Sequence, residues 1–268
     1  TLVPMIALLN QIPSEAQIKK QLRQIIFGKN MTCPRCHSRK VYVSETRYRC
    51  SACRKPFTLL TGTWLSDMKL SVRTFYALLW CWTQRIPVQQ THKLCHVSEV
   101  SIYAWFREFR QHLPDLQPIL NGKVQMDEAY FKRISLLLAK QVGTKKLAHQ
   151  MIFKNSVNKA EASQFIFQSI QPKSKLQTDG SGIYKQIDQW WQVRHKVDIH
   201  RKFQFGLTSE IEGMFGNLRT FIRRMYHHAT PEHLPEYVSE FCTRFSSPEI
   251  FNSPFTYLSK TLRPVPLA

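Results

Sequence analysis

Acidic residues are scarce in this chain. Its 268 residues hold 18 aspartates and glutamates against 38 lysines and arginines, a formal net charge of +20. A positive surplus of that size on a folded chain points to a polyanionic partner. It is spread along the whole length, which suits nucleic acid. No run of about 18 apolar residues occurs, so no membrane-spanning helix is expected. The opening stretch, TLVPMIALLNQIPSEAQ, lacks a basic n-region and an A-x-A site, so no signal peptide is expected. Internal repeats and low-complexity tracts are also missing. The seven cysteines are an odd number, and four sit in two tight pairs. That argues against a disulfide framework and for metal in a reducing compartment. With 43% hydrophobic residues the chain is globular. It is long enough for one large domain or two to three small ones.

The paired cysteines are Cys33, Cys36, Cys50 and Cys53, spaced C-x2-C, thirteen residues, C-x2-C. Each knuckle sets two thiolates on one side, and two knuckles complete a tetrahedron around Zn²⁺. The intervening KVYVSETRYR suits one β-hairpin. Four sulfurs leave no open position, so such a zinc is structural. His37 is a spare donor beside the first knuckle, while Cys81, Cys95 and Cys242 fall in apolar patterns and read as core.

Ser14 and Gln17 fit a capping box for a helix ending before Gly28. Residues 70–112 read as helices. Leu70, Phe75, Leu78, Leu79 and Trp82 form one face, Pro87 interrupts, Val88 to Leu94 form a second helix, and Ser98 caps a third. Three helices with short joins suit a helix-turn-helix, with Ser98 to His112 as the candidate reader and Tyr103, Arg107 and Arg110 as candidate DNA contacts. After the Pro-rich HLPDLQPILNG the pattern changes. KVQMDEAYF, ISLLLAKQV and LAHQMIFKN read as strands, AEASQFIFQSI as a helix, KLQTDG as a strand, IYKQIDQWW as a helix and VRHKVDIH as a strand. LTSEIEGMFGNLRTFIRRMYHH closes the series as a helix. That order predicts an α/β domain with a mixed sheet.

Three acids stand out in this second half. Asp127 lies in an apolar strand pattern, where a carboxylate is costly unless paired, hydrogen-bonded or metal-bound. Asp179 ends a strand at a Gly-rich turn, where sites gather and where turn chemistry alone also places an aspartate. Glu212 opens a helix whose body is basic, and with Ser209 it also fits a capping box. Glu128 points to the other strand face, so only one of Asp127 and Glu128 is expected at a site, and Asp127 is chosen. Three carboxylates on three elements can converge on one or two cations such as Mg²⁺; Asp188 and Asp198 are substitutes. Arg219 and Arg223 follow Glu212 by seven and eleven residues, near one helix face, and can hold phosphates or simply face solvent.

The stretches CPRC, YRCSACRKPFTLLTGTWL, MDEAYF, TDGSGIY and IEGMFGNLRTFIRRMYHHATPEHLPEYVSEFCTRF resemble bacterial insertion-sequence transposases of the DDE type with an N-terminal zinc ribbon. The resemblance spans roughly residues 14–247. It implies a ribonuclease-H-like catalytic domain in which Asp127, Asp179 and Glu212 hold catalytic Mg²⁺ or Mn²⁺, beside structural Zn²⁺. Ser209 stands where that family usually carries asparagine. The expected organisation is a helical segment (1–30), a zinc ribbon (31–60), a helix-turn-helix region (61–114), the catalytic domain (121–247) and a tail (248–268). The expected activity is metal-dependent cleavage and strand transfer on double-stranded DNA, at terminal inverted repeats and a target. A non-catalytic DNA-binding regulator and a structure-specific nuclease are the alternatives. Two ends must be brought together, so a homo-oligomer on DNA is expected, in the cytoplasm and at the nucleoid.

Overall fold

The computed structural model describes residues 12–44, 47–197, 208–227 and 229–262. Asp198 and most of the stretch before Ser14 lie outside the described residues. The described residues up to Pro114 and from Glu249 onward form one compact unit, and Asp115–Pro248 form another.

The first unit opens with α1 (Glu15–Phe27). Ser14 Oγ accepts from the Gln17 N–H at 3.3 Å and the Gln17 side chain accepts from the Ser14 N–H at 2.8 Å, so the capping box is formed. Gly28 ends the helix at φ 62°, a conformation that a Cβ would disfavour. The cysteine segment folds as β1 (Val41–Ser44), β2 (Arg47–Cys50) and β3 (Pro56–Phe57), antiparallel in that order. Then come α2 (Val72–Thr83), α3 (Val88–Cys95) and α4 (Glu99–Gln111). Ser71 and Ser98 cap α2 and α4 by accepting the Thr74 and Ser101 N–H groups. Phe75, Leu78, Leu79, Trp82, Ile102, Phe106 and Phe109 are buried between them. Residues 249–262, expected as a tail, belong to this core. Tyr257 on α9 (Pro254–Thr261) is fully buried, and its hydroxyl donates to the Phe109 carbonyl at 2.8 Å.

The second unit is built on five strands: β4 (Lys123–Phe131), β5 (Ile134–Gln141), β6 (Leu147–Ile152), β7 (Lys175–Thr178) and β8 (Arg194–Val197). Their order is β6-β5-β4-β7-β8, with β5 antiparallel to both neighbours and β4, β7 and β8 parallel. This is the mixed sheet of a ribonuclease-H-like domain. Between β6 and β7 runs α5 (Lys159–Ser169), with Asn158 and Glu161 forming a capping box. After β8 come α7 (Ser209–Tyr226) and α8 (Leu234–Ser246). The sheet has two differently used faces. Val124 and Met126 join Phe165, Ile166, Leu176, Tyr184 and Ile187 in one apolar cluster. Residues 125 and 127 alternate to the opposite face, on which Gln125 meets α7.

One helix was expected to run through IYKQIDQWW. The chain instead makes a short 3-10 turn (Gly182–Tyr184) and one α-turn, α6 (Ile187–Trp190). Lys185 is extended and Gln186 has φ 63°, which breaks the helix between them. The break buries Tyr184 and Ile187 together in the apolar cluster.

Candidate active site and metal centres

β4 and β7 run parallel, with Gln125 opposite Gln177. Carrying that register two residues forward sets Asp127 beside Asp179. β7 has already ended at Thr178, whereas β4 continues to Phe131. The two strands therefore part at the level of the acids, and the carboxylate oxygens of Asp127, Glu128 and Asp179 all lie within 4.8 Å of one another. Sequence alternation predicts that only one of Asp127 and Glu128 reaches a site. Alternation holds, but past the end of β7 that edge of β4 has no strand partner among the described residues, and the longer Glu128 side chain reaches the same gap. Tyr184, from the turn that follows Asp179, donates its hydroxyl to Glu128 Oε2, and Tyr130 donates to Glu128 Oε1 at 3.2 Å. Asp179 keeps its turn role as well: its Oδ1 accepts the Ser181 N–H at 3.0 Å.

The electrostatics match three crowded acids. Burial pushes the Asp127 carboxyl up to about 7; the Glu128 N–H, donating to Oδ1 at 2.8 Å, opposes this, and the charges of Glu128, Asp179 and Glu212 add to it. Burial also raises Glu128, with the Tyr184 hydroxyl opposing. A divalent cation would offset this mutual repulsion, and clustered carboxylate oxygens are the donor set that hard cations take. The residues fit such an ion. Tyr184→Phe would leave one Glu128 oxygen without its buried donor. It is expected to cost about 1–3 kcal/mol of stability, measured by urea unfolding in chelator.

Glu212 stands slightly apart. It is exposed on the first turn of α7, outside the tight trio, and its charge is felt at Asp127. The capping box expected from Ser209 is not formed. Ser209 is the first helical residue, and Thr208 is the N-cap without a side-chain cap bond. Thr208 instead donates its hydroxyl to Glu212 Oε1 at 3.0 Å. Asp188, a substitute on sequence grounds, lies on α6 and is not in the carboxylate group. Beside Asp179 opens a cleft of about 570 Å³ bordered by Lys159, Lys185, Ser181 and His195, a lining suited to an anion.

The four paired cysteines meet in the first unit. Cys33 Sγ lies 3.7 Å from Cys53 Sγ, and Cys36 Sγ lies 3.5 Å from Cys50 Sγ. All four sulfurs fall within 4.8 Å of one another, and none is in a disulfide. The Cys53 N–H is the largest influence on Cys50 and helps bring its thiol down to about 7. His37 is outside this group.

Of the residues named for DNA contact, Tyr103 and Arg107 are exposed on α4, and Arg219 and Arg223 are exposed on α7. Arg110 is not available: it is 6% exposed. It falls on the stripe Ile102, Phe106, Phe109, Arg110, which is the helix's buried side.

Residues 13–56 match the family described as transposase zinc-ribbon domain, and residues 132–246 match the family described as ISXO2-like transposase domain. Asp179 and Glu212 fall inside the second match, and Asp127 and Glu128 lie just before it. A protein described as uncharacterized, in the transposable element ISH50 of Halobacterium salinarum, is 26% identical over 125 residues. That alignment covers 44% of this chain and 42% of the relative, so the chain spans less than half of that relative's length. Among solved structures, a chain of the simian T-cell lymphotropic virus intasome in complex with a PP2A regulatory subunit, B56 gamma, is 13% identical. The match covers 63% of this chain and 67% of that one, at a TM-score of 0.34.

Proposed function

Because the chain belongs to the insertion-sequence transposases that couple a zinc ribbon to a DDE-type domain, we propose that it cuts and joins double-stranded DNA at the ends of such an element. The observation that carries this reading is the convergence of Asp127, Glu128 and Asp179 where two parallel strands part, with Glu212 on the adjoining helix. Asp127, Asp179 and Glu212 would hold Mg²⁺ or Mn²⁺, with Glu128 beside them. When bound, such cations activate the attacking oxygen and offset charge on the leaving oxygen of a phosphodiester.

The chain's own groups do the rest. Asp127 Oδ1 is fixed by the Glu128 N–H and Asp179 Oδ1 by the Ser181 N–H, so both carboxylates are held in orientation before DNA arrives. Arg219 and Arg223 project from the helix that carries Glu212 and hold phosphates on either side of the cut. In the first step water oxygen bonds to phosphorus and the bond to the 3′ oxygen breaks, leaving a 3′-hydroxyl. In the second, that hydroxyl attacks a target phosphodiester. One P–O bond forms for each one broken, so joining needs no external energy source.

Residues 31–60 and 61–114 would bind the terminal inverted repeats, with Tyr103 and Arg107 on α4 meeting the DNA. Residues 121–247 would perform the chemistry. Two ends must be held at once, so the working species is a homo-oligomer on DNA, acting in the cytoplasm at the nucleoid. Among the described residues no helix is long and apolar enough to cross a membrane. The test is incubation with labelled terminal-repeat DNA and Mg²⁺ or Mn²⁺. Cleavage followed by joining is expected. Cleavage alone would make the protein a nuclease, and metal-independent binding alone would make it a regulator.

A further inference from the structure

Helix α7 begins without a cap of its own, yet first-turn N–H groups need acceptors. The acceptor comes from the sheet. Gln125 on β4, 2% exposed, turns Oε1 toward the N–H groups of Glu210 at 2.9 Å and Ile211 at 3.1 Å. Directly opposite Gln125 on β5 is Lys140. It is 6% exposed in a strand otherwise apolar at its buried positions apart from Ser135, and its ammonium is bonded to the Glu210 carboxylate. Adjacent residues on two strands therefore grip one helical turn, the first by its backbone and the second by a side chain.

This grip ties two parts of the carboxylate site together. Gln125 and Asp127 share a face of β4, two residues apart. Glu210 and Ile211 immediately precede Glu212, which is still in the first turn, the part of a helix that frays most readily. A buried amide and a buried lysine are costly in a sheet core, and apolar side chains would pack there without that cost. We infer that Gln125, assisted by Lys140, is a positioning residue that sets Glu212 against Asp127 and Asp179, so cation binding depends on an amide that touches no cation. The inference rests on the reading that these three acids hold divalent cations.

The test uses the full chain with its zinc retained and Mn²⁺ as the probe. Bound and free Mn²⁺ are separated by the electron paramagnetic resonance signal of the free ion, and exchange is followed at the Glu210 and Ile211 amides. Gln125→Leu removes the acceptor; Gln125→Glu keeps an acceptor oxygen at a helix N-terminus that favours negative charge. Gln125→Leu is expected to weaken Mn²⁺ binding about 10- to 100-fold and to speed exchange at both amides, while Gln125→Glu stays within about threefold of wild type. Lys140→Met, which leaves Gln125 in place, is expected to weaken binding about tenfold and keeps the question open to measurement if Gln125→Leu does not fold. Wild-type Mn²⁺ binding in Gln125→Leu, or equal weakening in Gln125→Leu and Gln125→Glu, would overturn the inference. If Asp127→Asn binds Mn²⁺ as tightly as wild type, the cation reading itself fails and takes the inference with it.

Discussion

Asp127→Asn is expected to lower metal-dependent cleavage of end DNA by on the order of 10³-fold or more, since it removes several kcal/mol of transition-state charge stabilisation. Asparagine has the size of aspartate and can still accept the Glu128 N–H through Oδ1, so the fold should persist. Its stability should even rise in chelator. The Asp127 carboxyl has a folded value of about 7 against an ordinary value of 3.8, so between those values the folded state binds more protons than the unfolded one. Stability contributed by this group therefore falls as pH rises through that window, and the loss is complete above it. Asparagine removes the loss, so the variant should melt higher than wild type at pH 8 without metal and no higher near pH 3. Lower stability at pH 8 would mark Asp127 as a structural residue. Glu212→Gln is expected to lose activity to a similar degree while folding normally, because glutamine still accepts the Thr208 hydroxyl. A Glu212→Gln protein that cuts at the wild-type rate would leave Glu128 as the third carboxylate of the site.

What sequence reveals here divides by the range of the interaction. The clustering of Cys33, Cys36, Cys50 and Cys53 was legible because C-x2-C spacing brings each pair together locally in any context. The caps at Ser14 and Ser98 were legible because their partners lie three residues away. The convergence of Glu128 with Asp127 was not, because it depends on where a neighbouring strand stops, and β7 ends one residue before Asp179. The missing Ser209 cap has the same origin. S-x-x-E describes a local bond, but the Glu212 N–H goes to the Thr208 carbonyl, and the acceptor for the Glu210 and Ile211 N–H groups is Gln125, 85 residues before Glu210. Arg110 is a different case. Its place on the Ile102, Phe106, Phe109 stripe is visible in the spacing, and helical period outweighs charge there. The α9 segment falls in the expected tail, and its burial comes from packing on α2 and α4, a contact between distant parts of the chain.

Removing zinc should have the largest effect on structure. A tetrahedron of sulfurs 2.3 Å from Zn²⁺ has edges of about 3.8 Å, and the cross-knuckle separations are 3.7 and 3.5 Å. A disulfide would need about 2.05 Å. The ribbon has little else to hold it: strands of four, four and two residues, and a buried cluster of Cys33, Cys50 and Phe57 with a few half-buried neighbours. Cys33 and Cys50 are the two most buried members of that cluster, so a metal held by them would be nearly one object with the core. Binding of order 10 kcal/mol then becomes folding free energy for this module. The full chain should carry one zinc, and Cys50→Ser or a strong chelator should remove it. Backbone amide signals of residues 33–57 should then collapse to random-coil positions. Those of α2, α4 and α9 should hold, because Phe75, Trp82, Phe109 and Tyr257 form a ring-packed core of their own. Affinity for end DNA should fall while Mn²⁺ binding at the carboxylates stays unchanged. A chain that contains no zinc and whose mass is lower by four hydrogens would show two disulfides instead, and the ribbon would then be held by covalent bonds.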